Sequence, residues 1–306
     1  MTTVKNTIPV YDISSLLDSK QIAREIIAEQ FAPYLKVHPN LTVPHRHSFY
    51  HIVLFTKGKG YHTIDFEKFK VSPGQVYFMS PGQVHSWHFD GEVDGYVINF
   101  SANIFHNFLA SEQYLEQFTF FRSIAHESVF TLSEQISSAA KKNIQGIIKE
   151  LHNPAFSNID MVRLYLLELF ITVQRNISSN NATAAPQQNQ LILYNFRKLV
   201  NSYFAEKHLP KEYAALLYIT PNHLNALCKD LLGKPAGEVI RDRVLLEAKR
   251  LLVNDSLSIA QISLELNFAD NSHFTKFFKK HTGLTPEQFR LAGNDKINGY
   301  AHRNKK

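Results

Sequence analysis

The chain has 306 residues, 44% of them hydrophobic and 20% charged, which is ordinary for a soluble globular protein and long enough for two domains. Its single cysteine excludes an internal disulfide framework and suits a reducing cytoplasm. The N-terminus lacks a basic start followed by a long apolar run, and the most apolar stretch, MVRLYLLELFITV, is shorter than the ~20 residues that span a bilayer, so we expect a cytoplasmic protein without a membrane partner.

The net charge of +6 is distributed unevenly along the chain. Residues 191–306 hold 18 Lys+Arg against 11 Asp+Glu, or +7, whereas the first 190 residues hold 15 against 16, or −1. A basic region attached to a near-neutral one indicates a polyanionic partner, nucleic acid before membrane.

Two kinds of pattern precede the basic region. From about residue 36 to 100, short β-rich runs alternate with turn signals such as KGKG and SPGQ, which predicts a small barrel or sandwich. From about 103 to 175 the period becomes helical, and Asn153-Pro154 separates two apolar stripes that predict an antiparallel helical hairpin. We therefore expect an N-terminal domain over residues 20–175.

A polar, low-complexity stretch, NISSNNATAAPQQNQ, occupies residues 176–190 and predicts a flexible linker. Everything after it is helical in pattern, and we place a second domain over residues 191–292. The predicted fold class is α+β, with a β-barrel and helical hairpin first and an all-α domain second. The expected helices of that domain are 191–204, 211–217, 221–231, 236–253, 258–266 and 271–281.

The all-α region contains a repeat of a short helix, a tight turn and a longer helix ending at Gly. In the second copy, Asn267 stands where the turn needs a left-handed residue and Asp270 is placed to cap the next helix. Thr220 is the corresponding cap in the first copy. We expect Phe274, Phe278 and His281 to point into the core of the second copy.

Each second helix of the repeat leaves amide, hydroxyl and basic side chains on its outer face. Such a face can enter a major groove, where Asn pairs with adenine, Lys reaches guanine or phosphate, and successive grooves lie ~34 Å apart. Ala226 and Lys229 also face outward. The predicted DNA-binding residues are Asn222, Asn225, Asn271, Ser272, Thr275, Lys276 and Lys279.

The stretch LNFADNSHFTKFFKKHTGLTPEQFR resembles the DNA-binding domain of AraC-type transcription regulators, and the resemblance extends over about 195–292. The family usually has Gly where this chain has Asn267, and often a larger or polar side chain where it has Ala226, so the first unit is expected to read fewer bases. The matching positions are Phe278, Lys279, Lys280, Gly283, Pro286, Phe289 and Arg290.

The family commonly carries an N-terminal cupin barrel, and residues 40–100 resemble one. PHRHSFYH is similar to the first cupin motif and SPGQVHSWHF to the second. In metal-binding cupins the matching positions are two histidines, a glutamate and a later histidine; here they are His45, His47, His51 and His85, so a histidine replaces the glutamate. Alternation along the strand predicts that the first three share the barrel interior.

In regulators of this family the cupin usually holds an effector without a metal, so the resemblance implies no metal and no other cofactor. A few orienting polar groups among apolar walls suit a small polar molecule such as a sugar. We expect His62, His88 and His106 to be surface or loop residues. The predicted effector-binding residues are His45, His47, His51, His85 and Trp87.

The resulting prediction is a non-enzymatic transcription regulator controlled by a small-molecule effector. The resemblance implies that the helical hairpin forms a homodimer interface and that RNA polymerase is a further partner. Cys228 is expected in the core. The alternative is a metal-dependent cupin enzyme whose helical tail serves only for interactions, which tightly bound metal and turnover would favour.

Overall fold

The computed structural model describes residues 8–16, 25–109, 112–152, 159–180, 187–253 and 257–292. The chain forms two compact units, and the division falls between a helix that ends at Asn180 and a helix that begins at Gln187. We call them the β domain and the helical domain. Within the described ranges, no helix combines the length and apolarity needed to cross a membrane.

The strands of the β domain form two five-stranded sheets. Sheet 1 has the order β1-β3-β8-β5-β6 and sheet 2 the order β10-β7-β4-β9-β2. All neighbours pair antiparallel except β1 with β3. The strands are β1 Val10–Tyr11, β2 Ile26–Gln30, β3 His45–His47, β4 Tyr50–Lys57, β5 Gly60–Ile64, β6 Glu67–Val71, β7 Gln75–Met79, β8 Val84–Phe89, β9 Asp94–Phe100 and β10 Val129–Thr131.

Sheet 2 is buried on both faces, which explains why β4 is apolar without alternation. Val53 and Phe55 point to sheet 1 and join a core that contains Trp87. Ile52 and Leu54 point the other way, into a second core. Opposite orientation of successive side chains along a strand places one strand in both cores.

Among the described residues, three α-helices complete the β domain: α1 Phe31–Val37, α2 Glu134–Leu151 and α3 Ile159–Asn180. The apolar stripes of α2 and α3 pack on each other and on the outer face of sheet 2, as the sequence predicts for a helical pair. Ser133 caps α2. The proposed break at Asn153-Pro154 lies outside the described residues.

The helical domain consists of helices joined by short turns. The first helix–turn–helix unit is α5 with α6, the second is α8 with α9, and α7 stands between them and packs on all four. Its helices are α4 Gln187–Tyr203, α5 Pro210–Leu216, α6 Pro221–Leu232, α7 Ala236–Leu252, α8 Ile259–Glu265 and α9 Asn271–Thr282.

Local signals in the sequence account for the turns of both units. Thr220 and Asp270 accept hydrogen bonds from the backbone amides of His223 and His273, which confirms both predicted caps. Asn267 has φ of 55° in the turn between α8 and α9, as expected for the residue that replaces Gly there.

Three details differ from the sequence-based expectations. Strand β1 begins at Val10, ahead of the predicted boundary at residue 20. Helices α3 and α4 extend into both ends of the predicted linker, where residues 176–180 and 187–190 contain no Gly or Pro that would end a helix; residues 181–186 lie outside the described ranges. The prediction that His281 is a core residue is wrong, because the buried stripe of α9 drifts toward Thr282, whose hydroxyl bonds the carbonyl of Phe278.

Candidate functional site

Five histidines meet between the two sheets of the β domain. Sheet 1 contributes His45 and His47 from β3, His62 from β5 and His85 from β8, and sheet 2 contributes His51 from β4. Each is at most 3% exposed. We call these residues the histidine cluster.

The structure confirms that His45, His47 and His51 point to the same interior, but for a different reason from the one predicted. The chain leaves sheet 1 after His47 and enters sheet 2 at Tyr50, so they do not belong to one alternating strand. His51 therefore reaches the cluster from the opposite wall. It pairs in register with Asn99 and Met79 of the neighbouring strands.

The expectation that His62 is a surface or loop residue is wrong, since it is fully buried. Alternation along β5 points Gly60, His62 and Ile64 inward, so the signal was present in GYHTI. Its imidazole stacks on Trp87 with ring centroids 3.3 Å apart. His88 and His106 are exposed, as expected.

The imidazole rings are close enough to share one ligand. The centroids of His45 and His85 are 4.0 Å apart, and each lies 4.7 Å from that of His47. One ring nitrogen from each of these three residues lies within 4.8 Å of the other two. The ring of His51 follows at 4.9 Å from His47.

Hydrogen bonds on the far side of the rings determine which nitrogen carries the proton. The carbonyl of Val43 can only accept, so Nδ1 of His45 donates to it across 2.7 Å. Nδ1 of His51 lies 2.5 Å from Oδ1 of Asn99, whose amide nitrogen donates to the hydroxyl of Tyr34. Both rings therefore present an unprotonated Nε2 to the cluster.

His85 has the same choice of tautomer through a histidine partner. Its Nδ1 lies 3.1 Å from Nε2 of His62. When His85 donates this bond, its own Nε2 carries a free lone pair that faces the cluster. The imidazole of His62 is thus the hydrogen-bond partner of His85, as the carbonyl of Val43 is for His45 and the side-chain amide of Asn99 is for His51.

Burial keeps the cluster uncharged at neutral pH. Loss of hydration lowers the pKa of His45 to about 4 and that of His51 to about 3. The same cause, with repulsion among the rings, lowers the pKa of His47, His62 and His85 well below the ordinary value. Neutral imidazole is both a hydrogen-bonding group and a metal ligand.

One nitrogen of every ring in the cluster is buried without a hydrogen-bond partner. These atoms are Nε2 of His45, His47, His51 and His85, and Nδ1 of His62. A buried polar atom without a partner costs ~1–3 kcal/mol. Several such atoms in one place indicate a site shaped for a ligand that contacts them together.

The helical domain offers the second candidate site, formed by α6 and α9. On α6, Asn222, His223 and Lys229 are exposed around the buried Leu224. Asn225 is half-buried, and its Oδ1 accepts a hydrogen bond from the backbone amide of Ala236. The structure therefore gives Asn225 a role in capping α7 that its helical position did not reveal.

The outer face of α9 carries the larger positive charge. Asn271, Ser272, Lys276 and Lys279 are exposed, while Thr275 is half-buried. Lys280, which sequence analysis named as a family position but not as a DNA contact, and His273, which it did not name, are also exposed on this helix. It also missed Tyr218, which is 96% exposed in the turn before α6 with φ of 55°.

The remaining family positions stabilise the helical domain. Phe278 and Phe289 pack in the core around α9. Arg290 donates hydrogen bonds to the backbone carbonyls of Leu252 and Leu257. Cys228 is buried, as expected, and burial raises the pKa of its thiol to about 11.

Comparison with known proteins places these two sites in a family. The AraC-like ligand binding domain matches residues 36–167, and a helix-turn-helix domain matches residues 213–292, together more than half of the chain. The HTH-type transcriptional activator RhaR of Yersinia pseudotuberculosis is 22% identical over 81% of this chain and 84% of its own length. The probable transcription factor PqrA of Proteus vulgaris is 42% identical over 23% of this chain and 58% of its own length.

Among solved structures, ToxT from Vibrio cholerae is 10% identical, covers 88% of this chain and 98% of its own, and gives a TM-score of 0.42. The family matches agree with the order of domains found here, a sheet-rich domain followed by a helical domain with two helix–turn–helix units. The chain belongs to the AraC-type, ligand-controlled, DNA-binding transcription regulators.

Proposed function

We propose that α6 and α9 both read duplex DNA and that the histidine cluster with Trp87 holds the effector that controls this binding. The observation that carries the proposal is the doubled helix–turn–helix unit. Each unit presents a capped helix with polar or basic side chains outward. Two such helices in one basic domain can occupy successive major grooves.

The contacts divide into base reading and phosphate binding. Asn222, Asn271 and Ser272 lie in the first turns of α6 and α9, where a recognition helix meets base edges, and Lys276 lies one turn further along α9. Thr275 is half-buried beside them, and Asn225 contributes less because its Oδ1 caps α7.

Lys279 lies in the last turn of α9, where an exposed ammonium neutralises a phosphate without reading sequence.

The effector contacts are His45, His47, His51, His85 and Trp87. All five side chains are buried in one core. A ligand alters DNA affinity only when it binds two states of the protein differently. Substitutions in this set therefore change the response to the effector and leave the basal DNA affinity largely unchanged.

Further features support a homodimer that acts on RNA polymerase and catalyses no reaction. Leu164 and Ile159 on α3 are 51% and 38% exposed, which supports a dimer surface on the helical pair. The relatives that span most of the chain are transcriptional activators, which supports contact with RNA polymerase, a cytoplasmic location and a non-enzymatic role.

The test is selection of bound duplexes from genomic fragments by the purified full chain, followed by affinity measurements across salt concentrations. On the best site, Lys276→Ala should cost ~1–3 kcal/mol and relax the preference at one position. Lys279→Ala should weaken all sequences equally and reduce the salt slope by about one phosphate contact. Lys149→Ala, an exposed lysine on α2, is the control.

Two outcomes contradict the proposal. Absence of any sequence preference among the selected fragments would exclude a reading role for α6 and α9. Identical behaviour of the Lys276 and Lys279 variants would show that the two faces of α9 are assigned wrongly.

A further inference from the structure

We propose that the ligand of the histidine cluster is a single divalent ion of the zinc, cobalt or nickel class, bound by His45, His47 and His85 with His51 in the fourth position. This inference rests on the proposed function, because it names the chemistry of the effector. It reverses the expectation from the sequence, which assigned these residues to a small polar molecule and no metal.

The first support is the number and kind of atoms that need a partner. Four Nε2 atoms from three strands, β3, β4 and β8, are buried without a partner and face a common interior. Imidazole is a preferred ligand of zinc, nickel, cobalt and copper, and a sugar hydroxyl cannot contact four converging nitrogens at once. A single ion can.

The second support is the set of acceptors behind the rings. Metal-bound histidines almost always donate their other N–H to an acceptor that fixes the ring and its tautomer. His45 donates to the carbonyl of Val43, and His51 to Asn99. His62 is the acceptor available to His85. A small organic ligand would not require these three rings to have such partners.

The third support is distance. One ring nitrogen from each of His45, His47 and His85 lies within 4.8 Å of the other two. A tetrahedral ion with nitrogen ligands at ~2.0–2.1 Å holds those nitrogens about 3.4 Å apart. The rings need to approach by little more than about 1 Å, which small rotations of the side chains supply.

The ligand set also indicates how the ion is held. Four neutral imidazoles leave the charge of a divalent cation uncompensated, unlike sites that include thiolate or carboxylate. Affinity for a divalent cation falls as charged ligands are replaced by neutral ones, so the ion should exchange with the surroundings. Exchange on the time scale of changing metal supply is what a responsive site needs, whereas a structural ion is held permanently.

The experiment uses the full chain, stripped with a chelator and then dialysed against Zn²⁺ or Co²⁺. We expect saturable binding near one ion per chain and the strong visible absorption of tetrahedral Co²⁺. Trp87 is the only tryptophan and stacks on His62, so its fluorescence should be quenched by Co²⁺ in step with binding.

Variants separate this site from adventitious binding. His47→Ala and His85→Ala should weaken Co²⁺ binding by more than about 100-fold, beyond the ~10–100-fold that loss of an outer partner costs. His62→Phe keeps a ring on Trp87 but removes the acceptor of His85. It should weaken Co²⁺ binding by only that ~10–100-fold and retain the tetrahedral spectrum. His88→Ala is the matched control, since His88 is on the same strand as His85 but faces solvent.

Where an alanine variant fails to fold, as judged by circular dichroism, His47→Gln and His85→Gln take its place. Two results would overturn the metal site. One is that the folded wild type shows no saturable binding of Co²⁺ or Zn²⁺; the other is that the His47 and His85 variants bind the ion as well as the wild type. Neither result would affect DNA binding, which is measured separately on the selected duplex.

The effector role is tested on that duplex with and without Zn²⁺. Coupling between two sites is typically ~5–150-fold, so Zn²⁺ should change the affinity of the wild type by at least about 5-fold and that of His85→Gln by much less. A stoichiometric ion that leaves the affinity unchanged would overturn the effector role. Failure to bind any duplex would refute the proposed function, while dialysis and the Co²⁺ spectrum would still decide the site.

Discussion

Arg290 occupies the last position of the family pattern, and its contacts predict a role in stability. Its Nε donates to the carbonyl of Leu252 across 3.1 Å and its Nη2 to that of Leu257 across 2.8 Å. Leu252 ends α7, and Leu257 precedes Ser258, the cap of α8. One guanidinium thus joins both sides of the α7–α8 connection.

The magnitude follows from these two bonds. A hydrogen bond to a charged group contributes ~1.5–3 kcal/mol, and the lower value applies here because Arg290 is partly exposed. Arg290→Ala should therefore lower the free energy of unfolding of the helical domain by about 3 kcal/mol. For a domain of this size that corresponds to a fall in Tm of roughly 12–24 °C.

Two optical signals distinguish the domains in the assay. Trp87 is the only tryptophan and lies in the β domain, so its fluorescence follows that domain alone, whereas circular dichroism at 222 nm sums the helices of both domains and therefore includes the helical domain. Arg290→Ala should shift the dichroism transition and leave the Trp87 transition in place. Arg290→Lys should recover about half of the loss, because an ammonium cannot reach both carbonyls as a planar fork does.

The opposing interpretation is that Arg290 binds a DNA phosphate. Below the transition, where the variant is folded, a purely structural role of Arg290 requires a duplex affinity within about twofold of wild type and an unchanged salt slope. Unaltered stability together with a slope reduced by one phosphate contact would refute it.

Three other experiments test the structure. Burial raises the pKa of Cys228 to about 11 from an ordinary 9.0, so the thiolate at pH 8 is about 100-fold scarcer than that of an exposed cysteine. Alkylation of the thiol should therefore be slow until denaturant unfolds the domain, and rapid labelling of the native protein would contradict its burial. Gly146→Ala should destabilise the β domain by ~1–3 kcal/mol, although Ala has the better helix propensity, because a Cβ at this position would lie 2.8 Å from the ring of Tyr165. A higher Tm of the variant in thermal unfolding would contradict that packing. A fragment of residues 187–306 should fold on its own, as measured by circular dichroism. It should bind the duplex more weakly than the full chain because it lacks a dimer partner, and an insoluble fragment would contradict the domain division.

The sequence predicts the helical domain well because its signals are local. Thr220 and Asp270 cap their helices by accepting a hydrogen bond from a backbone amide only three residues away. The left-handed conformation of Asn267 depends on the backbone of that residue alone. The assignment of His281 to the core is the kind of error that a fixed periodicity produces near a helix end. There the inward-facing position passes to Thr282, and His281 is exposed.

The histidine cluster was predicted less completely because it is a tertiary arrangement. The alternation in GYHTI places His62 and Ile64 on the same face of β5, but it does not say which face is the inner one, so His62 could be assigned inward only once Ile64 was known to face the core. Asn225 is a similar case: helical position leaves it available to DNA, whereas the packing of α6 against α7 brings it to the amide of Ala236.

Strand β4 connects the proposed metal site with the helical pair. His51 points into the cluster, and the next residue, Ile52, points into the core that contains Phe170 of α3. Close packing transmits a displacement of one face of a strand to the other, since the interior has few voids in which it could be absorbed. Contraction of the four imidazoles around an ion would move β4 toward sheet 1 and away from α2 and α3. An ion that closes the cluster can therefore bias the surface proposed for dimerisation, and it does so through contacts confined to the β domain.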